Sequence, residues 1–234
     1  MECHNMCMIK GCKYLISRIV FLTVLMFVLA AAPAGAATYG FTGIITDDSI
    51  LGDIVIGEAQ LFVDVTDPGR DDQVLFMFTN TGSGLCSISE VYFDDGSLLG
   101  IAEVQNGVGV AFTQDDVDPV DPPVLPGGNN VTPPFVVTAG FSADSDPPEP
   151  HNGVNPNEWL GILFNLQSGQ AVSDVFTGLE NGDLRIGIHV IDFASGGGES
   201  FTNNNNPVPI PASVLLLGSG LIGLVGFRRK KIAK

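Results

Sequence analysis

The stretch from Ala37 to Asn206 is short of basic residues, cysteine and tryptophan, and each shortage excludes something. Arg70 and Arg185 are its only basic residues, while all of the chain's 26 acidic residues except Glu2 fall within it, a net charge of −23. Such a body repels nucleic acid and anionic lipid, which sets DNA and RNA binding aside, and it attracts divalent cations or basic partners. Cys86 is its single cysteine. No disulfide can form within it, so stability must come from packing, and Cys86 itself reads as a small buried apolar residue. Trp159 is the only tryptophan, so aromatic platforms for sugar are scarce, which weighs against a paired-carboxylate glycosidase. H-E-x-x-H, G-x-S-x-G and Walker patterns are absent, which removes the common zinc, serine-nucleophile and nucleotide readings. His189 falls on the polar face of its segment and reads as a solvated imidazole. His151 has no partner at metal-ligand spacing. Gly196-Gly197-Gly198 reads as a flexible linker rather than a phosphate cradle.

The missing basic residues sit at the two ends. Lys10, Lys13 and Arg18 precede the uncharged run Ile19–Ala32, and Ala34-Gly35-Ala36 then fits the A-x-A cleavage pattern, with Ala37 as the new amino terminus. About 14 apolar residues make roughly 21 Å of helix, which suits a signal peptide better than a permanent span. Signal peptidase is the partner this implies. Cys3, Cys7 and Cys12 lie in the segment to be removed, so their spacing is not read as a metal site. Basic residues flanking apolar segments stay in the cytoplasm, so both ends point inward and the acidic middle is exported across the inner membrane.

Within the middle, apolar residues alternate with period two. Strands are expected over Tyr39–Thr46, Gln60–Val65, Val74–Thr79, Ile88–Phe93, Leu98–Val104, Val108–Thr113, Phe135–Phe141, Trp159–Leu166 and Leu184–Asp192. Turn chemistry separates them, and Asn106-Gly107 carries the strongest hairpin signal. Only Ala171–Leu179 shows helical spacing. The expected fold is all-β, an antiparallel sandwich or jelly-roll-like body over residues 37–202. A signal peptide over 1–36 precedes it. A polar linker (203–207) and a carboxyl-terminal segment with a single transmembrane helix (208–234) follow. No internal repeat is present.

Two stretches read as surface loops, Asp115–Pro134 and Asp144–Asn157. Asp115, Asp116 and Asp118 lie in the first, Asp144 and Asp146 in the second. Two readings stand for these acids. They are solvated carboxylates that keep an exported domain soluble, or they are oxygen ligands for calcium, which takes several carboxylates and carbonyls from bent loops. None completes the D-x-[DN]-x-[DN]-G pattern.

The chain ends in Val-Pro-Ile-Pro, the uncharged run Ala212–Phe227, and Arg228, Arg229, Lys230 and Lys231. Sixteen residues make about 24 Å of helix, short of the roughly 20 residues usual for a span. Gly218, Gly220, Gly223 and Gly226 smooth one side, which lets another helix approach closely. This tail, from Val208 through Ala212-Ser213-Val214-Leu215-Leu216-Leu217-Gly218-Ser219-Gly220-Leu221, resembles the PEP-CTERM sorting domain of Gram-negative exopolysaccharide producers. Ile210 stands where that motif carries glutamate, as in the variant similar to Val-Pro-Leu-Pro-Ala. The resemblance implies processing by exosortase, a multi-span membrane enzyme with a thiol-based, transpeptidase-like site. It makes Pro209, Ile210 and Pro211 the sorting motif and Arg228 to Lys231 the cytoplasmic stop.

The sequence therefore suggests a protein held briefly in the inner membrane, then sorted to the cell surface or an exopolysaccharide matrix in a structural or adhesive role. No catalytic constellation is legible. A secreted hydrolase acting on matrix polysaccharide is the alternative.

Overall fold

The computed structural model describes residues 35–70, 72–96, 98–114, 123–143, 152–167 and 169–208. The expected signal sequence up to Ala34 and the anchor from Pro209 onward lie outside the described residues. Among those described, no helix is long and apolar enough to cross a membrane.

The body is all-β, as expected. Its strands are β1 (Ala36–Gly43), β2 (Leu61–Thr66), β3 (Gln73–Asn80), β4 (Ser87–Asp94), β5 (Leu99–Asn106), β6 (Phe112–Thr113), β7 (Ala139–Ala143), β8 (Trp159–Leu166), β9 (Arg185–Ile191) and β10 (Glu199–Asn203). They form one ten-stranded sheet in the order β5-β8-β3-β2-β1-β10-β9-β4-β7-β6. The pairs β2–β3, β3–β8, β5–β8, β1–β10, β10–β9, β9–β4, β4–β7 and β7–β6 are antiparallel. The edges carry their own protection. β6 has two residues, and β5 slips register between Leu99 and Ala102, features that discourage pairing with a second chain.

The sheet folds so that phenylalanines from opposite arms meet. Phe93 of β4 packs edge-on against Phe164 of β8 at 4.9 Å and Phe76 of β3 at 5.1 Å, with Phe141 of β7 at 5.8 Å from Phe164. Edge-to-face pairs bring about 0.5–1.5 kcal/mol each beyond area burial. Around them Leu61, Val63, Val65, Val74, Ile162, Ile186 and Ile188 are fully buried.

Two helices plug this core. Helix α2 (Val172–Asn181) buries Val172, Val175 and Leu179, and the positive φ of Gly182 ends it. Helix α1 (Leu51–Gln60) was not expected, since Gly52, Gly57 and the β-branched Ile54-Val55-Ile56 disfavour helix. Tertiary packing overrides propensity there. A Cβ at Gly57 would lie 2.3 Å from the Phe201 ring, so glycine alone lets α1 settle on β10.

Other expectations need correction. Asn106-Gly107 makes no hairpin. The Asn106 side chain instead bonds the backbone N–H and carbonyl of Phe112, and the chain crosses from β5 to β6 on the other arm. Of Val108–Thr113 only β6 is strand, and of Phe135–Phe141 only the last three residues are, at the start of β7. The Gly196–Gly198 triplet is the connection between paired strands β9 and β10, with Gly196 N–H bonded to Phe193 O at 2.8 Å. The polar linker is not loose. Asn203 closes β10 and accepts the Ile186 N–H at 2.7 Å, Asn204 N–H donates to Gly40 O, and Val208 N–H donates to Thr38 O at 2.7 Å.

A second small core lies on the outer face of β4 and β9. Leu125 and Phe135, from the proline-rich loop, pack with Ile44 and Tyr92. Gly187 permits this, since a Cβ there would meet Leu125 at 2.6 Å.

Candidate binding face

Strands β2, β3 and β8 alternate faces, as extended chains must. Leu61, Val63, Val65, Val74, Phe76, Phe78, Leu160, Ile162 and Phe164 point into the core. The opposite face should be polar, yet register aligns Phe62–Thr79–Trp159, Asp64–Met77–Gly161–Gln105 and Thr66–Leu75–Leu163–Glu103 across it. Phe62, Leu75, Met77 and Leu163 are half-buried there, and none belongs to either core cluster. Trp159 is 39% exposed. A Cβ on Gly107 would lie 3.2 and 3.3 Å from the two fusion atoms of the indole. The ring therefore packs on bare backbone on one side and offers its other side to solvent. Gly161 keeps the centre of the face shallow. Single exposed apolar side chains are ordinary, whereas a contiguous apolar patch with polar margins marks a contact surface. Asp64, Gln105, Glu103 and Thr66 supply those margins.

Three polar clusters compete with this face for a functional reading. His189 is half-buried, not solvated as expected, with Nδ1 3.1 Å from Ser200 Oγ. Glu90 and Ser200 flank it in register on β4 and β10. Burial lowers the His189 pKa, against the pull of the Glu90 and Glu199 carboxylates and a hydrogen bond with the Glu199 backbone. Serine, histidine and glutamate in a row suggest nucleophilic chemistry, but Ser200 is only 6% exposed. Glu90 already accepts the Tyr92 hydroxyl, and the row reads as a strand cross-link.

The second cluster surrounds Cys86, which is buried as expected. Gln60 Nε2 lies 2.9 Å from its sulfur and 2.8 Å from Asn80 Oδ1, and Asn80 Nδ2 donates to Cys86 O. Burial pushes the thiol pKa up despite the Gln60 and Asn80 hydrogen bonds. A thiol held protonated is a poor nucleophile. Gly82 and Gly84 press against Gln60, so this amide network fixes the loop from β3 to β4.

The third is an open cleft of about 220 Å³ beside α2, with Asp95, Asp174 and Asp183 in its lining. Two of these carboxylates are already engaged. Asp95 accepts the Leu99 N–H at 2.6 Å and the Thr138 hydroxyl, while Asp174 accepts the Ala171 N–H at 2.8 Å. Among the described residues no three His, Cys, Asp or Glu side chains converge as metal ligands.

Of the residues singled out from sequence, Ala36 and Ala37 open strand β1, with Ala36 exposed. Ala34, Pro209, Ile210, Pro211 and Arg228 to Lys231 lie outside the described residues. So do Asp115, Asp116, Asp118, Asp144, Asp146 and His151. The Trp159 face was missed, though its signal is visible. Val74-Leu75-Phe76-Met77-Phe78 and Trp159-Leu160-Gly161-Ile162-Leu163 are apolar at successive positions, where a half-solvated strand would alternate. No family model matches the chain, and no curated protein matches it.

Proposed function

We propose that this chain is an exported surface or matrix protein, sorted through its carboxyl-terminal tail by an exosortase-type enzyme, and that its body plays a structural or adhesive role. The folded sheet is read as a sandwich of the jelly-roll-like kind, with the outer face of β2, β3 and β8 as its contact surface. One observation carries the sorting reading: Pro209-Ile210-Pro211, the uncharged run Ala212–Phe227 and the basic cluster from Arg228 stand in that order, behind an export signal. Two prolines fix an unwound backbone beside the membrane, which a protease-like enzyme needs in its substrate. The adhesive reading draws on the exposed indole of Trp159, with Thr79 opposite it and apolar Met77, Leu75 and Leu163 beyond on the same face, a combination suited to stacking on a neutral polysaccharide. A body of net charge −23 disfavours anionic chains.

The test is to change Pro209 and Pro211 together to alanine in cells that process the native chain. Membrane insertion should persist while tail removal stops, and amino-terminal sequencing of the native exported protein should begin at Ala37. Normal processing of the double variant would remove the basis of the sorting reading.

A further inference from the structure

We propose that the outer face of β2, β3 and β8 takes a flat, linear sugar chain that carries free amino groups, with Trp159 stacking on the rings and Asp64 and Glu103 pairing with the amines. The proposal rests on the adhesive reading above and narrows its partner from any glycan without acidic groups to an amino-sugar chain.

Shape limits the partner first. Strands β3 and β8 lie between paired neighbours, so their backbone groups are already taken and no peptide can add a strand across this face. Gly161 is buried at the centre, where a Cβ would lie 3.2 Å from Gln105 Cβ and 3.5 Å from Leu75 Cδ1. The floor is therefore level. A protein partner anchors through side chains seated in pockets, whereas sugar rings lie on a level apolar surface. Trp159 is backed by Gly107, and Met77, Leu75 and Leu163 continue the surface along β3 and β8 toward Asn165. From Trp159 to Asn165 the strand runs about 20 Å, room for a chain of several rings.

Charge limits it next. Asp64 and Glu103 stand in register on the two margins, Asp64 opposite Met77 and Glu103 opposite Leu163. Neither has a cationic partner among the described residues, where Arg185 pairs with Asp94 and Arg70 reaches Gln73 at 3.4 Å, one row beyond Leu75. A second copy brings the same net charge of −23 and is repelled, as is an anionic chain or lipid surface. An uncharged chain would leave both carboxylates beside it unpaired. Protonated amines along the chain supply a cation at each margin, and an ammonium near the indole gains cation–π attraction as well. Gln105 and Thr79 offer hydrogen-bond partners for ring hydroxyls.

Trp159 makes the test direct, since the only tryptophan in the chain lies on the face. The full chain, in a polyoxyethylene detergent, is titrated by calorimetry with a glucosamine hexamer, its fully N-acetylated counterpart, cellohexaose and hexalysine, while Trp159 emission reports contact at the face. The glucosamine hexamer should bind most tightly, shift the emission and weaken as sodium chloride rises. Trp159→Ala should weaken it about tenfold or more, and Trp159→Phe, which keeps a ring, should lose less. Glu103→Gln and Asp64→Asn should each weaken it about two- to fivefold and narrow its lead over the acetylated chain, with near-native melting to show that the variants fold. Equal binding of the glucosamine and acetylated hexamers would overturn the amine preference and leave the adhesive reading intact. Amine binding that survives Trp159→Ala, or hexalysine binding as tight, would assign the effect to the acidic surface at large and overturn the proposal. If none of the three sugar chains binds, the adhesive reading fails with it.

Discussion

Arg185 should be the most costly single side chain to remove from the surface of this body. Its guanidinium pairs with Asp94 of β4, donates to the carbonyls of Pro133 at 2.5 Å and Pro134 at 2.8 Å, and lies 5.2 Å from the Phe135 ring centre. One side chain thus ties the proline-rich loop to β4 and β9, and Asp94 in turn accepts the Val136 N–H. Both side chains are largely shielded, at 13% and 15% exposure. Removing one partner of a fully buried pair costs about 3–5 kcal/mol, and exposed pairs are worth about 1 or less. Discounting for the residual exposure, Arg185→Ala should cost about 2–3 kcal/mol. At about 2–4 °C per kcal/mol for a domain of this size, melting should fall by roughly 4–12 °C. Arg185→Lys keeps the charge but loses the planar fork and should fall between. A double-mutant cycle with Asp94→Asn should show coupling of about 1–2 kcal/mol, because the two groups share partners. The loss should also be local. Leu125 and Phe135 would be unseated, so limited proteolysis should cut residues 123–138 faster in Arg185→Ala. A loss within about 0.5 kcal/mol, the range of an ordinary surface change, would refute the clamp.

Three further outcomes are expected. Because burial lowers the folded pKa of His189 below its ordinary 6.5, the unfolded chain takes up the proton more readily, so this group's contribution is present above pH 6.5 and is lost as pH falls toward the folded pKa; urea titrations from pH 8 to 5 should show that slope, and His189→Asn should flatten it. Gly57→Ala should destabilise by about 1–3 kcal/mol through collision with Phe201, outweighing a helix-propensity gain of up to about 1 kcal/mol, and Phe201→Leu should recover part of the loss; a more stable Gly57→Ala would show that α1 does not sit on β10. Melting temperature should rise with sodium chloride, because self-repulsion of the acidic body is screened, and calcium at matched ionic strength should add no more; a larger calcium shift that Asp115→Asn and Asp144→Asn abolish would establish a cation site in those loops.

Much of the sheet was legible because its strands announce themselves locally. Trp159–Leu166 matches β8 residue for residue, and β2, β3, β4 and β9 differ from expectation by one or two residues at their ends. What escaped was decided by distant partners. Helix α1 depends on the fit of Gly57 under Phe201, which no window of sequence contains. Strand β10 reads as polar tail because Glu199, Ser200, Thr202 and Asn203 surround one phenylalanine. Its polar groups are nevertheless satisfied inside the fold, Glu199 by the Ile50 N–H and Asn203 by the Ile186 N–H. Asn106-Gly107 carried a valid turn signal, but turn chemistry fixes a bend and leaves the next pairing partner open. The Trp159 face illustrates a different failure. Its residues were each assigned to a strand, but the apolar character of the second face was absorbed into the strand reading and never weighed as surface.

The place of β1 in the sheet bears on how export and sorting would be ordered. The strand that begins at the expected signal cleavage site stands between β2 and β10 in the ten-strand order, so the first strand among the described residues is also a central one. Its ladder with β10, Phe41 opposite Asn203 and Gly43 opposite Phe201, is the pairing of longest sequence separation in the body. Such contacts carry the largest loop-closure cost in the unfolded chain, though that cost grows only slowly with length. A chain exported amino end first could not complete this ladder until residues 199–203 had emerged, and by then only the tail would remain within the membrane. Asn204 to Gly40 and Val208 to Thr38 extend the same contact to the residue preceding Pro209. Closure of the sheet therefore also fixes the chain as far as Val208, the residue before the proposed sorting motif. In a body whose β1–β10 ladder has not formed, Val208 has no strand to bond, and the motif would reach a processing enzyme on a slack chain.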